Sequence, residues 1–254
     1  FLGTRFVIAS VLMLLICLAL RTRWPRRWKD YGHVLVSGVL VQSGYLIGVY
    51  YGINLGVSIG IMALVVGLQP LITSALVGPF LGETVSFRQK LGLVLGFGGL
   101  GLVVAEKVII GEAVWLGYLL GLMALVAITG GTLYQKKFCA GFDVRTTVTV
   151  QNCSSCVLIL VLAVLFESME TDWTGEYIFA LVWSAVCLSV IAIMAFYYLV
   201  ARGAATKVTS LLYLSPPTTA VMGWLFFDET LALLAVAGMG VAVAGVALVS
   251  VERR

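Results

Sequence analysis

Two stretches of the chain repeat one pattern of helix and turn. Residues 68–84 have the sequence LQPLITSALVGPFLGET, and residues 214–230 have the sequence LSPPTTAVMGWLFFDET. Glu83 follows Pro70 by 13 residues, and Glu229 follows Pro216 by the same 13 residues. The second copy therefore lies 146 residues after the first, and this offset indicates an internal repeat.

The composition of the whole chain is typical of a protein embedded in a lipid bilayer. The chain has 254 residues, of which 61% are hydrophobic and 11% are charged, and its mean hydropathy is +1.08. A soluble domain has about 25% charged residues, and so few charges cannot cover a water-exposed surface. The composition excludes a soluble enzyme, a nucleic-acid-binding protein and a disordered chain.

The apolar residues form nine runs, each 18 to 24 residues long, which is the length of a helix that crosses a bilayer. The runs do not alternate apolar and polar residues as the strands of a membrane barrel do. We therefore predict an all-α membrane protein, a bundle with nine transmembrane helices. The runs cover residues 1–20, 32–53, 57–80, 88–105, 114–135, 145–166, 177–200, 205–227 and 231–250.

The charges lie in the loops and alternate in sign from one side of the predicted bundle to the other. Of the 16 Lys and Arg residues, 14 fall on one side, and the exceptions are Arg5 and Lys107. The positive-inside rule makes the basic side cytoplasmic. We expect an integral protein of a bacterial inner (plasma) membrane, with its C-terminus in the cytoplasm and residue 1 on the outer side.

The two copies of the repeated segment begin on opposite sides of the membrane, with Glu83 at an inner turn and Glu229 at an outer one. This is an inverted-topology repeat, which secondary transporters use for alternating access. We assign residues 1–107 to the first repeat and 113–250 to the second. The second repeat has five helices and the first only four, so we predict that the sequence lacks the first of ten helices.

With these features the chain resembles the drug/metabolite transporter superfamily, and specifically its EamA-type ten-helix transporters. The resemblance rests on the five-plus-five layout, on the segments 68–84 and 214–230, and on the Arg5-Phe6 pair. The second copy departs from the first, with Asp228-Glu229 in place of Gly82-Glu83.

The resemblance implies export or import of small metabolites, often amino-acid-like compounds. We expect a secondary transporter of amino-acid-like or drug-like solutes that works as an exporter by alternating access. A channel or a non-transport scaffold or receptor is the alternative. We expect no enzyme, because no nucleophile with a base and no pair of carboxylates lies at membrane depth.

Seven side chains are candidates to line a substrate cavity. Arg5 is a charge inside a predicted span, which costs about 2.5–3.5 kcal/mol on insertion scales, so it should face protein or water. It either attracts a substrate carboxylate, or reaches the outer headgroups or an outer acid. The neutral candidates either bind a zwitterion or only form interhelical hydrogen bonds. They are Gln42, Tyr45, Gln69, Gln151, Asn152 and Tyr213.

Two tyrosine pairs are placed symmetrically in the two repeats. Tyr50 and Tyr51 lie near the predicted outer face, and Tyr197 and Tyr198 lie near the inner face. They are candidates for an outer and an inner gate. The alternative is the belt of aromatic residues found at each membrane interface.

Prolines and carboxylates mark the repeated helix ends. Pro70 and Pro216 lie in mid-span and predict kinks, acting either as hinges or as static bends. Glu83 and Glu229 close their helices at tight turns, as structural residues or as sites of proton coupling. After Glu83, the residues Ser86 and Gln89 predict a capping box.

The remaining motifs predict packing. Residues 96–101 match the GxGxxG pattern but lie inside an apolar helix with no preceding strand, so we predict a helix-packing seam and not a nucleotide site. The seam of Gly44, Gly48 and Gly52 serves either internal packing or a homodimer. We expect no cofactor, no metal and no nucleic acid, with a small-molecule substrate and the lipid bilayer as partners.

Overall fold

The fold is known from a computed structural model that describes residues 1–105, 115–167, 171–227 and 232–250. These residues form helices and contain no strand, which confirms the predicted all-α membrane class. The α-helices are α1 (Leu2–Ala19), α2 (Trp28–Gly38), α3 (Tyr45–Asn54), α4 (Ile59–Gly67), α5 (Gln69–Leu81), α6 (Phe87–Val104), α7 (Trp115–Tyr134), α8 (Val144–Phe166), α9 (Gly175–Trp183), α10 (Ile193–Arg202), α11 (Ala205–Ser210), α12 (Ser215–Phe227) and α13 (Leu233–Ser250).

Three wider π-helical segments continue α-helices without leaving the helical path. They are π1 (Val39–Gly44) after α2, π2 (Gln135–Cys139) after α7, and π3 (Ser184–Ala192) between α9 and α10. Such segments are rare and are frequently found at functional sites.

Eight helical stretches of the described residues are long and apolar enough to cross a membrane. They correspond to eight of the nine predicted runs. The remaining run, residues 205–227, is divided into α11, a 3₁₀ turn (Leu211–Leu214) and α12. The eight stretches are Leu2–Ala19, Trp28–Asn54, Ile59–Leu81, Phe87–Val104, Trp115–Cys139, Val144–Phe166, Gly175–Arg202 and Leu233–Ser250.

Each repeated proline stands at the start of a new helix, just after an interruption. α4 ends at Gly67, and Pro70 lies in the first turn of α5. Pro216 lies in the first turn of α12, directly after the 3₁₀ turn. Proline is tolerated there because the first residues of a helix have no intrahelical acceptor for their N–H groups.

The chain folds into two compact units, and each unit draws on both halves of the sequence. Unit 1 comprises 1–44 and 130–202, and unit 2 comprises 45–129 and 203–254. Adding the offset of 146 residues to 1–44 gives 147–190, which again lies in unit 1. The same shift moves π1 onto residues 185–190, inside π3, so the wide turns occupy equivalent positions in the two copies.

Glycines allow the helices of unit 2 to pack with their backbones close together. A Cβ on Gly92 of α6 would lie 2.6 Å from the carbonyl oxygen of Gly245 in α13. A Cβ on Gly48 of α3 would lie 2.5 Å from the carbonyl oxygen of Leu120, and Gly52 faces Gly117 of α7. Gly48 and Gly52 therefore pack against α7 of the same chain. Of the two roles predicted for this seam, internal packing and a homodimer contact, this is internal packing.

The residues of the turn after α5 each have a structural role. Gly82 adopts the left-handed conformation, with φ of +69°, and ends α5. Ser86 and Gln89 form the predicted capping box at the start of α6, with hydrogen bonds of 3.2 and 2.8 Å. Glu83 accepts a hydrogen bond from the N–H of Ala205, 3.2 Å away, at the start of α11. The corresponding Glu229 lies outside the described residues.

Candidate functional site

The π segments of unit 1 carry three buried polar side chains into its interior. Gln42 lies in π1, Gln135 begins π2, and Ser189 lies in π3. Each of the three is at most 5% exposed. Polar residues from the neighbouring α-helices meet two of them in the hydrogen-bond networks described next.

The first network joins two amides through a serine. Gln151 of α8 donates to the hydroxyl of Ser37 at 2.6 Å and to the side-chain oxygen of Gln135 at 2.9 Å. The hydroxyl of Ser37 lies 2.8 Å from the same oxygen of Gln135. The close approach depends on Gly38, because a Cβ there would lie 2.8 Å from Cγ of Gln151. We call Ser37, Gln135 and Gln151 the amide cluster.

The second network holds the buried arginine. Nε of Arg5 donates to the hydroxyl of Ser189 at 2.8 Å, and the amide of Asn152 donates to the carbonyl oxygen of Ser189 at 3.3 Å. Arg5 is 7% exposed, so its side chain faces protein rather than the headgroups. We call Arg5, Asn152 and Ser189 the arginine cluster.

Gln151 and Asn152 are adjacent in α8, and so they connect the two clusters. Successive residues of a helix point about 100° apart, since a turn has 3.6 residues. Gln151 accordingly faces α2 and π2, whereas Asn152 faces π3. One short stretch of α8 thus positions polar groups on two faces of unit 1.

Several polar atoms of this region are buried without a hydrogen-bond partner in the described structure. They include Nε2 of Gln42, Oε1 of Gln151 and Oδ1 of Asn152. An unsatisfied buried polar group costs about 1–3 kcal/mol, and native proteins keep few of them. Buried polar atoms of this kind can pair with polar groups of a ligand or with water.

Gln42 and Tyr45 lie three residues apart but in different helical segments. Gln42 lies in π1, and Tyr45 is the first residue of α3. A π segment has more residues per turn than an α-helix, so a spacing of three residues does not align the two side chains. Tyr45 is half-buried and has an interaction partner of its own.

The candidates of unit 2 are also buried. Gln69 begins α5 and is 1% exposed. Tyr213 lies in the 3₁₀ turn, and its ring contacts Gly96 so closely that a Cβ there would overlap it. The ring belongs to a core with Leu93 and Val246, although its hydroxyl has no partner in the described structure. Tyr213 is therefore mainly a packing residue.

The two members of each tyrosine pair differ in their exposure. Tyr50 and Tyr198 are exposed, Tyr51 is half-buried, and Tyr197 is 1% exposed. The ring of Tyr198 lies 4.3 Å from the guanidinium carbon of Arg202. The aromatic-belt interpretation fits the two exposed members, but a fully buried Tyr197 cannot lie at a lipid headgroup.

Sequence reasoning missed Ser37, Gln135 and Ser189. The two serines are isolated hydroxyls in apolar helices, where a serine usually bonds its own backbone. Gln135 precedes Lys136 and Lys137 and so resembles the end of a span. The signal for Gln135 was that an amide side chain ends the predicted apolar run 114–135.

Comparisons with known proteins agree with this architecture. The model of the EamA-like transporter family matches residues 1–105 and 115–251. The chain is 28% identical over 261 residues to the uncharacterized transporter YvbV of Bacillus subtilis, covering all of this chain and 83% of that protein. It is 25% identical to an uncharacterized transporter of Archaeoglobus fulgidus, covering 98% of this chain and 87% of the relative.

Two more distant similarities point the same way. A chloroplastic WAT1-related protein of Arabidopsis thaliana is 23% identical over 76% of this chain and 48% of its own length. A solved crystal structure has the same fold, with a TM-score of 0.85 over 98% of this chain and 86% of that one, at 17% identity. Because the family model matches both halves of the chain, the protein belongs to the EamA-like transporter family and is an integral membrane transporter.

Proposed function

We propose that the protein exports small polar metabolites, amino-acid-like or drug-like, by alternating access between the inverted repeats 1–107 and 113–250. The observation that carries the proposal is the set of buried polar atoms without partners beside the amide and arginine clusters. Amides and hydroxyls bind both the ammonium and the carboxylate end of a zwitterion, and their desolvation costs less than that of fixed charges.

The repeat has structural support at the site. The 146-residue offset pairs Arg5 with Gln151 and Ser43 with Ser189. In each copy, one polar residue on a long helix and one π segment supply buried polar groups to unit 1. Secondary transporters with inverted repeats form their substrate sites from residues of both repeats, which supports the proposal.

The test is a flux screen in proteoliposomes with radiolabelled amino acids and a panel of drugs. We expect saturable flux that is stimulated by substrate on the opposite side. Gln151→Ala and Arg5→Ala should each reduce it, whereas Cys153→Ala, an exposed position two residues along α8, should not. Flux that never saturates would favour the channel alternative, and unchanged flux in both cluster variants would remove these clusters from the pathway.

A further inference from the structure

The loop between α1 and α2 carries an exposed surface of positive charge. Residues 20–31 have the sequence LRTRWPRRWKDY, with five cationic side chains and one acid, Asp30. We call this segment the basic loop. All five cations are exposed, and none forms an ion pair with another of the described residues. They are Arg21, Arg23, Arg26, Arg27 and Lys29.

The backbone of the basic loop is held by the protein beneath it. The carbonyl oxygen of Arg23 accepts a hydrogen bond of 3.3 Å from Oγ1 of Thr146, a buried residue in the first turn of α8. The N–H of Thr22 donates to the carbonyl oxygen of Cys17 in α1 at 3.1 Å. The cations therefore extend from an ordered surface and not from a free tether.

Arg21 occupies a position where glycine is the usual residue. Its φ is +45°, which makes it the one non-glycine residue with positive φ in the part of the chain that the structure describes. Its N–H donates to the carbonyl oxygen of Leu18 at 3.3 Å, and with the bond from Thr22 to Cys17 this forms a Schellman motif. The left-handed residue of that motif is commonly glycine because any Cβ there is unfavourable. An arginine in its place favours a role for the charge.

Two tryptophans and the length of the loop place this surface at the lipid headgroups. Trp24 is 37% exposed and Trp28 is 90% exposed, and tryptophan is enriched at membrane interfaces. One spanning stretch ends at Ala19 and the next begins at Trp28, so eight residues separate the two crossings. A loop this short cannot extend far from the bilayer, and the partner within its reach is the headgroup layer.

Charge complementarity selects anionic headgroups. Two other cations of unit 1 have partners within the chain, since Arg145 pairs with Asp143 at 2.7 Å and Arg202 lies over the ring of Tyr198. The exposed guanidinium groups of the basic loop can instead donate to phosphate oxygens, with which they form strong, charge-assisted hydrogen bonds. Clusters of Lys and Arg directly beside a transmembrane helix are typical of anionic-lipid binding.

We propose that the basic loop is a binding surface for anionic phospholipid headgroups, in which the guanidinium groups of Arg23, Arg26 and Arg27 bind phosphate while Trp24 and Trp28 lie in the interface. The positive-inside rule requires only an excess of Lys and Arg on one side of the membrane. It does not account for the exposed tryptophans, the fixed backbone or the left-handed arginine. The inference does not depend on the transported solute, so it and the export proposal can fail separately.

The test measures which lipid associates with the purified full chain in phosphatidylcholine bilayers. Phosphatidylglycerol and phosphatidylcholine with the same spin label on the same acyl chain serve as probes that differ only in the headgroup. The motionally restricted fraction in the EPR spectrum reports the lipid at the protein surface. We expect phosphatidylglycerol to associate at least about fourfold more strongly, with a preference that falls as the ionic strength rises.

Charge-matched variants distinguish the basic loop from the net charge of the protein. Arg26→Gln/Arg27→Gln removes two of the five cations and should lower the preference for phosphatidylglycerol at least about twofold. Arg88→Gln/Lys90→Gln removes two cations from the start of α6 and should leave the preference nearly unchanged. Equal losses in the two double variants, or no preference in the wild type, would overturn the proposal.

Arg21→Gly distinguishes lipid binding from folding. Glycine relieves the left-handed turn, so the melting temperature in neutral phosphatidylcholine should stay equal or rise, whereas the preference for phosphatidylglycerol should fall. An unchanged preference would contradict the proposal. Inorganic phosphate added at constant ionic strength should not displace the labelled phosphatidylglycerol, and displacement would assign the surface to a soluble anion instead.

Discussion

The carboxylate of Glu83 caps the N-terminus of a helix that begins 122 residues later. Its Oε2 accepts a hydrogen bond from the backbone N–H of Ala205 at 3.2 Å, and both residues belong to unit 2. Ala204, the N-cap residue of α11, has no side-chain acceptor of its own. A carboxylate from a distant turn therefore takes the place that Ser, Thr, Asp or Asn usually fills.

Removal of this cap should destabilise the protein. We expect Glu83→Ala to lower the free energy of unfolding by about 0.5–2 kcal/mol, the range measured for helix caps. Glu83→Gln keeps a side-chain acceptor but loses the charge at the helix end, so it should lose less. Chemical unfolding in detergent micelles measures both. Equal losses in the two variants would show that charge, and not the acceptor, accounts for the effect.

Acid should weaken the start of α8. The carboxylate of Asp143 accepts the N–H of Arg145 at 2.9 Å, and the guanidinium of Arg145 beside it holds the pKa of that carboxyl below its usual range. The stabilisation is complete above the unfolded pKa of about 3.9 and disappears as the pH falls through the lower folded value. It should be at most about 1 kcal/mol, because the pair is partly exposed.

Asp143→Asn supplies the matched control for this pH dependence. Asparagine is also a good N-cap residue, but it does not titrate. The melting temperature of the wild type should therefore approach that of Asp143→Asn as the pH is lowered from 7 toward 3. A constant difference over this range would assign the stabilisation to another group.

The glycine seam of α6 should tolerate substitution on one face only. A Cβ on Gly96 meets the ring of Tyr213, whereas nothing lies within 4 Å of a Cβ on Gly98. We expect Gly96→Ala to cost about 1–3 kcal/mol through overpacking. Gly98→Ala should be neutral or stabilising because alanine favours the helix. Thermal unfolding of the two variants side by side makes the comparison, and similar behaviour would refute this packing.

The hydroxyl of Ser189 should be needed for transport as well as for the structure of the helix. Ser189→Ala removes the hydroxyl that accepts from Arg5, a hydrogen bond to a charged group. We expect kcat/KM for the solute found in the flux screen to fall about tenfold. Ser184→Ala is the control, since Ser184 lies in the same π3 segment and donates to the carbonyl oxygen of Leu181. Equal effects of the two variants would reduce Ser189 to a structural residue.

The positions of eight membrane-spanning stretches could be predicted from the sequence, because each depends on the summed hydropathy of neighbouring residues. Hydropathy over about 20 residues decides whether a segment spans. Eight of the predicted runs correspond to helical stretches long and apolar enough to cross a membrane. The capping box of Ser86 and Gln89 is equally local, since it involves neighbours within one turn. Pro70 and Pro216 were predicted as kinks in mid-span, and each lies instead in the first turn of a new helix.

The candidate site depended on the tertiary structure. Which serine meets Gln151, and which backbone Glu83 caps, is decided by residues more than a hundred positions away. The π segments add a second, non-local step, because they rotate every later side chain of their helix relative to an α-helical reading. Membrane burial is set by composition and can be read along the chain, whereas polar partners are set by packing and exist only once the helices have come together.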